Sequence, residues 1–224
     1  MKTLLDQLKN SPVFSNFSKS TLEDIGKQAI GKRYEEGEVV SSQGEKWPYL
    51  FIVHTGSMDA IKDSPDGRTF VATTFLPGDV FWGLSFFDEN HIMPATLLAH
   101  NHLELFLWHR DTLLPFILLE GKASWELSKL VVKRLLMASE KLGDMTFQPV
   151  GVRLAKLLVN LSKAEEGVPI VRDLTLDEMA ARIGTTREMV CRFLHKFSDE
   201  GLIDITRTEF TVKDADALTR LTLT

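Results

Sequence analysis

Cysteine is nearly absent from this chain. Cys191 stands alone among 224 residues, which excludes an internal disulfide framework and an iron–sulfur cluster held by four thiolates of one chain. Long apolar runs are absent too: no stretch approaches the roughly 20 residues that cross a bilayer. The start, MKTLLDQLKN, is amphipathic and has no signal-peptide core, so the expected setting is cytoplasmic, with no membrane partner. The third absence is an excess of positive charge, since 26 Lys and Arg against 31 Asp and Glu leave a net charge of −5. That balance does not announce a polyanionic partner. What is present is 44% apolar content, enough for two modest domains that each bury a core.

The most informative stretch is residues 175–196, TLDEMAARIGTTREMVCRFLHK. Thr175 with Glu178, and Thr185 with Glu188, each spell T-x-x-E, in which a threonine caps the first free amides of a helix and the glutamate reaches back. Two short helices are expected, with Gly184 in the tight turn between them and Ala180 and Val190 at their crossing. On the second helix Met189, Val190, Phe193, Leu194 and Phe197 share one face. Arg187, Glu188, Cys191, Arg192 and His195 then point away from the core. Gly201 ends the helix, and 202–206 and 209–213 alternate like two strands across a short turn holding Arg207. This predicts a winged helix-turn-helix. The plainer reading is an amphipathic helix with ordinary solvated charges. From Arg172 to Arg220 there are eight Lys or Arg against ten Asp or Glu, so such a unit is expected to bind DNA well only as a dimer with its cations on one face.

Taken in order, residues 3–9 and 20–29 read as short helices, the second capped by Ser20 or Thr21. Runs at 34–40, 49–53, 58–61, 69–75, 79–82, 95–99 and 103–108 are short and alternating or β-branched. Gly37, Gly44, Gly56, Asp66-Gly67 and Pro77-Gly78 separate them, which indicates a small antiparallel barrel or jelly roll. A short helix at 111–119, interrupted by Pro115, precedes an unbroken helical run over 122–145. There Ser128, Val131, Leu135, Ala138, Leu142 and Met145 recur every three or four residues, as in a coiled-coil seam. These six are the expected dimer interface; the alternative is a helix packed only within its own chain. Leu127, Leu130 and Leu136 form a second apolar edge that can lie on the roll. Gly143-Asp144 and Pro149 mark a hinge, Glu165-Glu166-Gly167 closes the helix of 150–162, and the wing completes an α+β chain. The expected division is an effector-sensing β-roll at 1–120, a dimerisation helix at 121–146 and a winged helix-turn-helix at 147–224.

Three segments carry a family resemblance: Ser139-Glu140-Lys141-Leu142-Gly143-Asp144, Arg153-Leu154-Ala155, and Thr186-Arg187-Glu188-Met189-Val190-Cys191-Arg192. Together with the glycine turns upstream, they make the chain resemble the Crp/Fnr family of bacterial transcription regulators over nearly its whole length, and the three segments resemble its cyclic AMP receptor members closely. The resemblance implies a homodimer on double-stranded promoter DNA, reaching RNA polymerase from a palindromic site with TGTGA-like half-sites. It assigns Arg187 and Arg192 to guanines and Glu188 to cytosine. The chemistry agrees, because arginine offers two donors to guanine O6 and N7 and a carboxylate accepts from cytosine N4. Thr185 and Thr186 are expected at phosphate, and Cys191, His195 and Arg207 complete the expected DNA-facing set.

The family's cyclic-nucleotide cassette is degenerate. Its ribose-binding glycine and glutamate correspond to Trp82 and Gly83, its phosphate-binding arginine and hydroxyl residue to Met93 and Pro94, and its adenine-contacting threonine to Ala138, although Ser139 remains. A buried phosphate without its arginine is an unpaired charge, which argues against cyclic AMP. Trp82, Gly83, Phe86, Met93, Pro94, Ala138 and Ser139 are the candidate effector pocket, suited to an apolar or planar ligand. Ile92 to Thr96 also resembles the haem-based nitric-oxide sensors of the family, with Met93, His91, His54 or His100 as candidate axial ligands. A roll packed by its own aromatics, with no effector and a constitutive regulator, is the third reading. His100-Asn101-His102-Leu103-Glu104 places alternate histidines on one strand face, the remaining hint of a cupin-like metalloprotein. Its spacing lacks a third ligand, so no metal site and no enzyme are expected.

Overall fold

A computed structural model describes residues 3–65, 67–162, 167–171, 174–206 and 209–222. Asp66, Glu165, Glu166 and Arg207 lie outside the described residues. The chain divides into two compact units, residues 1–62 with 72–137 and residues 63–71 with 138–224.

The first unit opens with α1 (Leu4–Asn10) and α2 (Lys19–Lys27). Ser18, rather than Ser20 or Thr21, caps α2, its hydroxyl accepting from the Thr21 amide at 3.1 Å. Eight strands follow: β1 (Ile30–Tyr34), β2 (Val39–Ser41), β3 (Tyr49–Thr55), β4 (Met58–Asp63), β5 (Thr69–Phe75), β6 (Val80–Trp82), β7 (Thr96–Ala99) and β8 (Leu103–His109). They form two four-stranded sheets, ordered β1-β8-β3-β6 and β2-β7-β4-β5.

The period-two alternation of a strand decides what each face buries. On β3, Phe51 and Val53 join Leu103, Leu105 and Leu107 of their own sheet and Met58, Ala60, Leu97 and Ala99 of the other, making the interior of the roll. Leu50 and Ile52 face the opposite way and pack with Val80, Trp82 and Trp108 against Leu8, Phe14, Leu22 and Ile25. Trp108 is fully buried, and its indole N–H donates to the Ile25 carbonyl at 2.8 Å. An aromatic of that size buries 150–250 Å², worth about 4–6 kcal/mol at ~25 cal/mol per Å².

Two expectations for the roll need correction. The single run at 34–40 is two strands separated by a turn, in which the Glu35 amide donates to the Glu38 carboxylate at 2.8 Å. His100 and His102 do not share a strand face, because residues 100–102 form the bend between β7 and β8. His100 lies 3.7 Å from Asp59 and His102 lies 3.3 Å from Glu35, so each histidine has its own carboxylate.

Helix α3 (Arg110–Leu119) accommodates Pro115, and α4 (Gly121–Phe147) runs for 27 residues. At 1.5 Å per residue α4 is about 40 Å long. It passes through Gly143-Asp144 without a break, since an interior glycine costs only about 1 kcal/mol. Leu127 is buried and Leu130 packs on the helical core of the first unit, but Leu136 is exposed, contrary to its expected place on the roll.

The second unit contains α5 (Val150–Ser162), β9 (Pro169–Val171), α6 (Leu176–Ile183), α7 (Arg187–Asp199), β10 (Ile203–Ile205), β11 (Glu209–Val212) and α8 (Ala215–Arg220). Its sheet is ordered β10-β11-β9, and Pro169 occupies an edge strand, where a missing amide is tolerated. The β10–β11 hairpin matches the expected wing, whereas β9 was not foreseen. Leu154, Leu158, Met179, Val190, Leu194, Phe197, Phe210 and Val212 close one core beneath these elements.

Candidate nucleic-acid interface

The interface is built from the turn between α6 and α7. Thr175 and Glu178 form a reciprocal capping box at the start of α6: the threonine hydroxyl accepts from the Glu178 amide at 3.2 Å, and the Glu178 carboxylate accepts from the Thr175 amide at 2.7 Å. At the other end Gly184 adopts φ +63°, and a Cβ there would lie 2.5 Å from Met145 Sδ. The left-handed φ is what calls for glycine; the Met145 thioether is flexible and could yield to a Cβ. The second T-x-x-E does not act as expected. Thr186, not Thr185, caps α7, accepting weakly from the Met189 amide at 3.4 Å, and no reciprocal box forms.

Arg153 on α5 ties this turn to the end of α4. Its Nε donates to the Ile183 carbonyl at 2.8 Å and Nη1 donates to the Gln148 carbonyl at 2.6 Å, with longer contacts to Gly184, Met145 and Asp144. One guanidinium thus meets the carbonyl ends of two helices, where a cation is favoured. Burial holds its pKa below the usual arginine value, and the nearby Asp144 charge opposes that shift. Sequence reading placed Arg153 in a family motif and missed this role; carbonyl partners carry no side-chain signature.

Helix α7 is held from behind. Val190, Leu194 and Phe197 are buried, and Gly151 of α5 lies so close that a Cβ would come 2.7 Å from the Phe193 ring. The opposite face presents Arg187, Glu188, Arg192 and His195 to solvent, with Cys191 and Thr185 half-buried and Thr186 exposed. Arg187 Nη1 donates to Asp177 Oδ2 at 3.0 Å, an exposed pair spanning the turn. Sequence reading missed Asp177; the available signal was an acid in the first turn of one short helix and an arginine opening the next. Glu188 titrates below the usual carboxylate range because the Thr186 side chain, then its own backbone amide, hydrogen-bonds the charged form, and the Arg187 charge adds to this.

The candidate effector residues are distributed differently. Trp82 and Phe86 belong to the core shared with α1–α3, Met93 belongs to the roll interior, and Pro94 is exposed. A Cβ at Gly83 would collide with the Trp47 carbonyl, and the Trp47 amide donates to Ser85 Oγ at 2.8 Å. Met93 exchanges backbone bonds with the 44–45 loop, donating to Glu45 at 2.8 Å and accepting from Gly44 at 2.9 Å. These residues do not fit a cyclic nucleotide held in the family's manner: an apolar Met93 packed in the core stands where the phosphate needs a cation. Ala138 and Ser139 lie on exposed helix surface. Of the expected dimer residues, Ser128, Val131, Leu135, Ala138 and Leu142 are exposed, Leu135 by 67% and Leu142 by 69%, whereas Met145 packs its sulfur against the Gly184 turn.

A β-roll module followed by a long helix and a winged helix-turn-helix defines a DNA-binding transcription regulator. Residues 31–121 match the cyclic nucleotide-binding domain, and residues 152–221 match the Crp-like helix-turn-helix domain. The chain is 29% identical over 220 residues to the CRP-like cAMP-activated global transcriptional regulator of Mycobacterium tuberculosis, covering 95% of this chain and 97% of that protein. It is 26% identical over 212 residues to the cyclic AMP receptor protein of Thermus thermophilus, covering 94% and 96%. Its fold is shared by a Crp/Fnr-family regulator from Eubacterium rectale, with TM-score 0.79 at 16% identity over 95% of this chain and 98% of the other. The chain belongs to the Crp/Fnr family of transcription regulators. Among the described residues no helix is long and apolar enough to cross a membrane.

Proposed function

We propose that two copies of this chain bind a palindromic promoter site with TGTGA-like half-sites in the cytoplasm and from there engage RNA polymerase. The observation that carries this reading is the outer face of α7, where Arg187, Glu188 and Arg192 project from a helix anchored entirely on its other side. Arg187 and Arg192 meet guanines, Glu188 meets cytosine, and Thr185, Thr186, Cys191 and His195 flank them. Two recognition helices about 34 Å apart read successive major grooves. Dimerisation is supported by the apolar surface that α4 leaves in water, including Val132, Leu135 and Leu142. Binding should be measured by fluorescence anisotropy on a TGTGA palindrome and on scrambled DNA at one salt concentration. Arg192→Ala is expected to lose roughly 1–3 kcal/mol at its guanine. Equal wild-type affinity for both DNAs would refute the reading.

Control by cyclic AMP is not part of it, for the misfit at Gly83, Met93 and Pro94 given above. An effector other than a cyclic nucleotide, haem included, is the switched version of this regulator. The unswitched version, active whenever it is present, is favoured by the packing of Trp82, Phe86 and Met93 into cores and by the Trp47 carbonyl seated on Gly83. A Soret band on haem addition that is lost in Met93→Ala decides for haem.

A further inference from the structure

We infer that Asp177, a residue outside the base-reading trio, sets the specificity of this DNA interface by holding Arg187 for guanine and penalising any other base at that position. The inference rests on Arg187 meeting guanine, as proposed above.

The pair is badly placed to serve stability. Its side chains are 60% and 67% exposed. Ion pairs in water contribute about 0–1 kcal/mol to folding, with side-chain entropy lost on both sides. It is also badly placed to serve affinity. A carboxylate beside the reading arginine repels phosphate, and this unit is already short of cations. What the pair does accomplish is geometric. Engaging Nη1 leaves the Nε–H and Nη2–H donors, a parallel fork that matches O6 and N7 of guanine. The guanidinium is presented part-oriented rather than free to sweep along the backbone, so less freedom is lost when the correct base is met. At any other base Arg187 keeps Asp177 as its partner and the carboxylate's repulsion is uncompensated. Specificity of this kind comes from disfavouring wrong partners as much as from contacts to the right one.

The test uses the full chain. Wild type, Asp177→Asn, Asp177→Glu, Arg187→Ala and the Asp177→Asn/Arg187→Ala double variant compete for a half-site library carrying all four bases at each position, at one salt concentration. Asp177→Asn should bind scrambled DNA several-fold tighter and lose about tenfold of its guanine preference at the Arg187 position, equivalent to about 1.4 kcal/mol. Preferences at the positions read by Glu188 and Arg192 should stay as in wild type. Asp177→Glu should retain more of the guanine preference than Asp177→Asn. In the Arg187→Ala background the asparagine should change no base preference. A uniform rise in affinity with the guanine preference intact in Asp177→Asn would reduce Asp177 to a bulk charge and overturn the inference. If Arg187→Ala alone changes no base preference, the assignment of Arg187 to guanine fails first, a result distinct from the uniform rise.

Discussion

Replacing Arg153 with methionine keeps an unbranched side chain in place while removing every donor. Two of its bonds are short, 2.8 Å to Ile183 and 2.6 Å to Gln148. Bonds from a charged donor contribute roughly 1.5–3 kcal/mol each. Arg153 is only half-buried, so water can replace part of what is lost, and the expected destabilisation of the second unit is about 2–4 kcal/mol. All four tryptophans, Trp47, Trp82, Trp108 and Trp125, lie in the first unit, so tryptophan emission does not follow this change. Hydrogen exchange of the α5–α7 amides, read by mass spectrometry, does follow it. Their protection should fall by about 30- to 800-fold, at one decade per 1.4 kcal/mol. Arg153→Lys should recover less than half of the loss, because a compact ammonium cannot reach two helix ends at once. Protection within about threefold of wild type in Arg153→Met, a change below about 0.7 kcal/mol, would refute the idea that one guanidinium locks the turn to the end of α4.

Two further outcomes follow from exposed positions. Leu135→Glu places a charge on the apolar face of α4 and should shift sedimenting mass from dimer to monomer; an unchanged mass would remove this face from the interface. Thr186→Val should raise the Glu188 pKa toward the ordinary carboxylate value, because the hydroxyl that favours the charged form is gone. With the folded pKa depressed, that contribution to stability is present above the unfolded value and is lost as pH falls through the folded one. A carbon-detected NMR titration of Glu188 that is identical in both proteins would contradict it.

Sequence periodicity revealed elements whose signal is local. Gly184 with the Thr175–Glu178 box located the helix turn, and alternating runs between glycines located the strands of the roll. Signals with two local solutions slipped. Thr185 and Thr186 are both competent caps, and the structure takes the second. Tyr34 to Val40 reads as one strand, but Glu38 can fold back on the Glu35 amide and makes it two. Gly143-Asp144 resembles a helix end, yet packing carries α4 past it. Least legible were the partnerships of Arg153 with five carbonyls, which carry no side-chain signature, and of Arg187 with Asp177, whose signal is only an acid in the first turn of one short helix and an arginine opening the next. The effector region failed for a related reason: resemblance to the family's cassette grouped Trp82, Phe86 and Met93, while the fold sends the end of β6, the turn after it and the segment before β7 into two different cores.

The anchoring of α7 has a consequence for descent with modification. Its inner face is fixed by the buried Val190, Leu194 and Phe197 and by the Gly151 backbone pressed on Phe193. Substitutions at Arg187, Glu188, Cys191, Arg192 and His195 can therefore accumulate without disturbing the scaffold. A lineage can drift to new operators through these five positions and Asp177, keeping one body and changing its address.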